Sequence, residues 1–367
     1  TPLSLNFKHE VYSGNIDIDS LDSYVMIYRR IEKYLSKRQQ FKRLELARRC
    51  LYFKINKPLS KPPSQRTKSW QRILLENLVE EWGWKKNHIR YLDGRGDWKT
   101  PFVTRERSQL VGELNHSYRF LLDFANNTGA TRVISAEELT VLGRKLQAAF
   151  ERRPGKLEWI NPNISGDLSE QVLSIAKIDD HDQSQTVFTA FAHPVGGATS
   201  APGTAIKSTN HVVELILWLY FNGVIDADTQ FEINNTPEFG KIQLRRVLGA
   251  MRSWLPLPLP ELKHTNFQSA SRPQAVLLLL NTAKSSSPDL DEKGLQRLSD
   301  NTDALRYGGF EENLVAAVDM ISRNSWNEIT THRFDDKNAL LGAVLEFLHL
   351  SLPGSSVAPP KVTVECI

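Results

Sequence analysis

Two stretches set a carboxylate and an imidazole one helical turn apart, Glu113-x-x-His116 and Glu346-x-x-His349. Di-iron bundles use that spacing, but they also draw a Glu from each of two further helices. No such partners stand out, so both pairs read as polar groups at helix boundaries. Gly197 and Gly203 are wrongly spaced for a phosphate-binding P-loop, and Thr204 stands where its lysine belongs. There is no Gly-x-Ser-x-Gly elbow for acyl transfer. Cys50 and Cys366 are the two cysteines. They suggest neither a disulfide framework nor a zinc site, and two thiols in a chain of this size fit a reducing cytoplasm.

Binding chemistry is better represented. Arg323, Asn324, Trp326, Asn327 and Glu328 cluster in a tight connection between two strand-like runs. Such a connection can present Trp326 and Arg323 to a partner as interface anchors. The commoner outcome is a structural turn, with Trp326 buried and the asparagines satisfying local backbone groups. Arg144 and Lys156 flank a helix end and can belong to a site at a domain junction. Arg29, Arg30, Lys33, Arg43, Arg48 and Arg49 can reach phosphates or another domain, although a solvated or salt-bridged face is the usual use of such residues. Trp82, Trp84 and Trp98 fall on expected buried faces, which makes them core before they are a base-stacking platform.

These residues need elements to hold them. Helical spacing of apolar positions predicts helices over 21–35, 41–56, 70–82 and 105–126, with a shorter one ending near Leu92. Ser135 with Glu138 has the form of a capping box, after which Leu139, Leu142, Leu146 and Phe150 form one stripe. Arg152, Arg153, Pro154 and Gly155 then stop that helix. Beyond this seam the pattern turns towards strands: 157–160, 172–178 and 186–192 can form an antiparallel meander. The stretch 179–184 reads as a hairpin tip, and 193–208 as a mobile loop. Helices follow over 211–222 and 239–254, with a strand at 229–233 between them. A buried strand at 275–281, a polar insertion near 285–299, a strand pair at 314–322 and 328–334, a helix at 337–350 and a strand at 361–366 complete the chain. No internal repeat at a fixed period stands out. The expected fold is α+β, with a helical domain over 1–152 and a domain of mainly antiparallel strands with helices over 153–367.

The 367 residues carry a net charge of +4 that is unevenly distributed. Residues 1–155 hold 29 Lys and Arg against 17 Asp and Glu, a net of +12, while the remainder is −8. A basic half can face nucleic acid, an acidic partner or its own acidic neighbour. No apolar run reaches the roughly 20 residues of a membrane helix. The chain opens on Thr1-Pro2 without a signal-peptide pattern or an initiator methionine, which suggests a fragment.

Five motifs at the seam resemble the central part of the class I adenylate cyclases. They are Leu142-Gly-Arg-Lys-Leu146, Ala148-Ala-Phe-Glu151, Pro154-Gly-Lys156, Asn161-Pro-Asn-Ile-Ser165 and Asp167-Leu-Ser-Glu170. Leu92-Asp-Gly-Arg-Gly-Asp-Trp-Lys99, Ser117-Tyr-Arg119, Trp218-Leu-Tyr-Phe-Asn-Gly223 and Val318-Asp-Met-Ile-Ser-Arg-Asn-Ser-Trp-Asn-Glu328 extend the likeness in the same order. In that family, catalysis is ascribed to an N-terminal nucleotidyltransferase-like domain, where a Gly-Ser pair precedes an Asp-x-Asp that holds two Mg²⁺ ions. Here Asp17-Ile-Asp19, Asp180-His-Asp182, Asp226-Ala-Asp228 and Asp289-Leu-Asp291 all lack a preceding Gly-Ser, and Gly354-Ser355 has no Asp pair after it. The resemblance therefore implies a segment without catalytic, cofactor or metal residues, cut off after the catalytic domain of a cytoplasmic enzyme that makes cyclic AMP from ATP with Mg²⁺. It implies two partners, that catalytic domain and a phosphorylated phosphotransferase-system protein. The alternative expectation is a non-enzymatic module with a basic helical domain that grips nucleic acid or an acidic partner. A near-neutral total charge and the lack of a nucleic-acid motif disfavour nucleic acid.

Overall fold

The computed structural model describes residues 22–63, 69–128, 136–161, 164–180, 185–192, 203–234, 236, 239–283, 315, 317–335, 339–351 and 360–367, with isolated positions between 5 and 14. Ser135 of the expected capping box, the insertion at 285–299, residues 181–184 of the hairpin tip expected over 179–184 and the Gly354-Ser355 pair lie outside the described residues, while Asp179 and Asp180 of that tip continue a strand. The chain divides into two compact units, one of residues 1–117 with 163–167, the other of 118–162 with 168–367.

The first unit is helical. Helices α1 (Ser23–Lys37), α2 (Phe41–Ile55), α3 (Trp70–Trp82) and α4 (Lys86–Asp93) precede a 3₁₀ turn over Gly94–Asp97 and the long α5 (Thr100–Thr128), whose residues from Tyr118 on belong to the second unit. Asp22 caps α1 by accepting from the amides of Tyr24 and Val25 at 2.8 and 3.0 Å. Asn56 and Gly83 end α2 and α3 in the left-handed conformation, which asparagine and glycine tolerate. Leu44, Leu51, Leu74, Leu75, Leu78, Leu92 and Val103 fill the core. Trp82 and Trp98 are buried, and the rings of Trp82 and Trp84 lie 4.7 Å apart. Four of the basic helix residues are paired: Arg29 with Glu32 and Glu81, Arg48 with Glu32, Arg43 with Glu113, Arg49 with Glu106.

The second unit holds α6 (Ala136–Phe150) and two four-stranded sheets. Strands β1 (Val172–Asp180), β2 (Gln185–Ala192) and β3 (Thr204–Thr209) run antiparallel. Helix α7 (Val212–Phe221) then leads to β4 (Gln230–Asn234), which lies parallel to β1. This gives the order β3-β2-β1-β4. Helix α8 (Lys241–Trp254) follows and packs on both α7 and β4. The second sheet repeats the plan with β5 (Pro273–Leu280), β6 (Val318–Asn324), β7 (Ile329–Phe334), α9 (Ala339–Ser351) and β8 (Lys361–Cys366), in the order β7-β6-β5-β8 with β8 parallel to β5. The chain therefore contains one βββαβ module twice. Sequence periodicity misses this because the connections differ. Residues 181–184 separate β1 from β2, whereas 281–317 separate β5 from β6.

The fold is α+β with mixed sheets, and two local expectations change. The stretch 157–160 does not join the first meander. Instead, Leu157 donates its amide to Ile329 at 2.8 Å, Thr331 donates to Gly155 at 2.8 Å, and Lys156 bridges Thr330, so residues 155–157 line the outer edge of β7. The segment expected as a loop over 193–208 ends in strand β3. Its Thr204–Thr209 run carries two threonines and Ile206, which favour extended backbone, and it pairs antiparallel with β2.

Candidate functional site

The polar residues singled out in the sequence converge where α6 meets the β6–β7 turn. Asn324 builds the turn by accepting from the amides of Trp326 and Glu328, each at 3.0 Å. Asn327 sits at φ 57°, a left-handed position that asparagine tolerates, and its side chain donates to Pro260 while accepting from Arg323. Trp326 is buried, stacks on Phe267 at 5.8 Å between centroids and donates its indole N–H to Asn266 at 2.9 Å. Arg144 on α6 donates to the carbonyls of Phe267 and Gln268 at 2.9 and 2.7 Å.

Glu328 is the centre of this joint. Its carboxylate lies 2.6 Å from Lys156 Nζ and 3.1 Å from Arg153, and it accepts from Asn324 Nδ2 at 2.6 Å. Lys156 also donates to Gln147 at the end of α6. Two cations and an amide offset the cost of burying the carboxylate. Pro154-Gly155 makes the approach possible. Gly155 has φ +72°, and a Cβ there would stand 2.2 Å from the Thr331 carbonyl. Gly143 is a milder case, since a Cβ there would meet the Tyr118 hydroxyl at 2.3 Å, the far end of a side chain and not backbone.

A cleft of about 400 Å³ opens beside this joint, lined by Gly155, His211, Glu214, Asp319, Arg333 and Glu346 among others. Asp319 is buried on β6, and burial pushes its carboxyl up to about 6 even though Arg333 pairs with it at 2.8 Å. Burial works against the Arg333 charge, but Asp319 and Asp335 hold its pKa above the ordinary arginine value. Burial lowers His211, with Arg333 acting in the same direction, and raises Glu214 against the pull of Lys207. His332 stands 3.7 Å from Glu346. This arrangement suits a charged ligand group or a docked side chain. Sequence reading passes over Asp319, although an aspartate inside the apolar run Val318-Asp-Met-Ile321 is itself a signal of a buried ion pair.

The remaining candidates disperse. Glu113 is held by Arg43 in the helical unit. Asp226 closes its own turn, accepting from the Asp228 amide and the Thr229 hydroxyl at 2.9 Å each. Asp17, Asp19, Asp182, Asp289 and Asp291 lie outside the described residues. Among the described residues no three His, Cys, Asp or Glu side chains are grouped to hold a metal ion. Nor is any described helix long and apolar enough to cross a membrane.

A helical unit, and a second unit in which two sheet modules of one plan follow α6 and a buried ionic joint fastens the end of α6 to the second of them, define a multidomain α+β protein. Family models agree on what kind. Residues 1–161 match "Adenylate cyclase, class-I, second domain", 168–258 the third domain and 261–367 the fourth. The chain belongs to the class I adenylate cyclases. It is 28% identical to the adenylate cyclase of Yersinia intermedia over 364 residues, covering 99% of this chain and 43% of that protein. The adenylate cyclases of Escherichia coli K12 and Proteus mirabilis are also 28% identical, with 99% of this chain and 43% and 42% of theirs aligned. The chain thus spans less than half the length of the curated relatives it matches. No solved structure matches it.

Proposed function

We propose that this segment is the scaffolding and regulatory part of a cytoplasmic class I adenylate cyclase and makes no cyclic AMP by itself. The whole enzyme would convert ATP with Mg²⁺ to cyclic AMP and pyrophosphate, the chemistry residing in an N-terminal catalytic domain that is one partner of this segment. The observation that carries this reading is the Glu328 joint. The most suggestive polar residues of the chain are engaged with one another, tying α6 to the fourth family domain. Such a joint can pass the state of a regulatory partner along the chain, and a phosphorylated phosphotransferase-system protein is the partner proposed. The basic residues of the helical unit that pair with carboxylates weigh against a nucleic-acid grip.

The test is direct. Purified chain is incubated with ATP and Mg²⁺, alone and with the separately expressed N-terminal domain of a class I relative. No cyclic AMP is expected from the chain alone, with added chain altering the output of the catalytic domain. Cyclic AMP from the chain alone, above a mock-purified control, would overturn the reading.

A further inference from the structure

Strand β4 is an outer strand of the first sheet, with β1 on its inner side. Gln230 donates its amide to the Gln171 carbonyl at 2.9 Å, so in this parallel pairing Gln230, Glu232 and Asn234 turn their backbone groups towards β1. The amides and carbonyls of Phe231 and Ile233 therefore point the other way, and no described strand takes them up. An unpaired row of this kind is a template for another strand.

Helix α8 supplies a wall beside that edge. It runs back along β4, because it starts soon after Asn234, while Arg252 near its end donates to the carbonyl of Asp226, ahead of the strand, at 3.3 Å. Between the two lies a groove of about 620 Å³. Lys241, Arg245, Gly249 and Arg252 line it at helical spacing, and all are exposed. Among the described residues no carboxylate pairs with Lys241, Arg245 or Arg252. The helical unit differs, since its Arg29, Arg43, Arg48 and Arg49 are held by glutamates. Asp226 and Glu232 also line the groove. Asp226 is engaged in its own turn, which leaves the cations in excess over Glu232.

The dimensions fit an extended chain. From Lys241 to Arg252 the helix climbs about 16 Å, and the five residues of β4 span about 17 Å. Lys241 and Arg245 stand about 6 Å apart along the axis, close to the two-residue repeat of a strand. A row of cations this long suits carboxylates at alternate positions better than one compact anion. Gly249 points the same way. Glycine weakens a helix interior, and a Cβ here would meet nothing within 4 Å, so no neighbour in the fold requires a bare position. Between Arg245 and Arg252 it leaves room for a passing backbone. We propose that the groove between β4 and α8 receives an acidic, extended segment of a partner protein. The segment pairs as a further strand with Phe231 and Ile233 and sets alternate carboxylates on Lys241, Arg245 and Arg252.

A fluorescein-labelled octapeptide of alternating Glu and Val is the probe, titrated against the full-length polypeptide at physiological ionic strength and followed by anisotropy. It should bind, and a Lys-Val peptide of the same length should not. Lys241→Glu with Arg245→Glu should weaken binding roughly tenfold or more. Gly249→Phe, which fills the groove without changing a charge, should also weaken it roughly tenfold. Arg246→Glu, on α8 but outside the groove, should change affinity less than about twofold, because salt screens a charge at that distance. Amide exchange at Phe231 and Ile233 should slow when the peptide is bound. Absence of binding would overturn the proposal, as would an affinity that the groove variants leave unchanged. Binding without slower exchange at Phe231 and Ile233 would mean attraction by charge alone, and would overturn it too. So would slow exchange at both amides before peptide is added, which would make the chain itself the occupant, or a second copy if the protection rises with concentration.

Discussion

Lys156 Nζ lies 2.6 Å from Glu328 Oε1, and only 3% and 2% of the two side chains are exposed. An ion pair this deeply buried is costly to break from one side. Removing one partner leaves an uncompensated charge, whereas removing both with apolar replacements can be nearly neutral. Glu328→Leu should therefore cost about 3–5 kcal/mol, and Lys156→Met with Glu328→Leu clearly less than that. Urea unfolding followed by tryptophan fluorescence reads both. Equal losses in the single and double variants would show that the pair is not the source.

Gly155→Ala tests the approach of the 154–157 segment to β7. The alanine must hold φ +72° and place its Cβ 2.2 Å from the Thr331 carbonyl oxygen. Left-handed strain alone costs about 1–2 kcal/mol, and the clash adds to it. The expected loss is about 2 kcal/mol or more, seen as a lower Tm, with faster amide exchange at Leu157 and Thr331, which hydrogen-bond across this contact.

Gly143 and Tyr118 should be coupled. Gly→Ala within a helix ordinarily gains about 0.5–1 kcal/mol. Here the new methyl meets the Tyr118 hydroxyl at 2.3 Å. Gly143→Ala should therefore gain nothing in the wild-type background, and should regain about 0.5–1 kcal/mol when Tyr118→Ala removes the ring, whose Cζ would also stand 3.1 Å from the new Cβ. A thermal double-mutant cycle measures the difference.

Asp319 gives a pH dependence of definite sign. Its carboxyl titrates near 6 in the folded chain because burial disfavours the anion. The folded state therefore binds this proton more tightly than the unfolded state does. Its contribution is intact below the ordinary aspartate range and is lost as pH rises towards 6. The stability difference between wild type and Asp319→Asn should shift against the wild type by on the order of 2–3 kcal/mol between about pH 4 and about pH 6.5. A difference that stays flat across that window would place the Asp319 proton elsewhere.

The helices are the most legible part of the chain. The 41–56 and 70–82 stripes fall on α2 and α3 because apolar positions at helical spacing survive any tertiary context. The stretch 157–160 misleads because Leu157 and Ile160 are buried without belonging to either named sheet. Twin modules escape notice because topology repeats there while sequence length does not. The joint residues can be named in advance, since Trp326 among asparagines signals an ordered turn. Their partners cannot, because Arg144 and Lys156 reach their acceptors through folding alone. Asp319 is within reach, as a carboxylate set in an apolar strand.

Arg153 and Glu328 are separated by 175 positions along the chain, yet they share one ion pair. During synthesis α6 leaves the ribosome long before the β6–β7 turn exists, and the whole first sheet module emerges in between. The interlock therefore cannot form until the first sheet module and most of the second have been made, and it is a contact of long sequence separation. Until then, the basic end of α6 waits for its carboxylate, and a nascent chain stalled before Glu328 would be left unfastened at its seam.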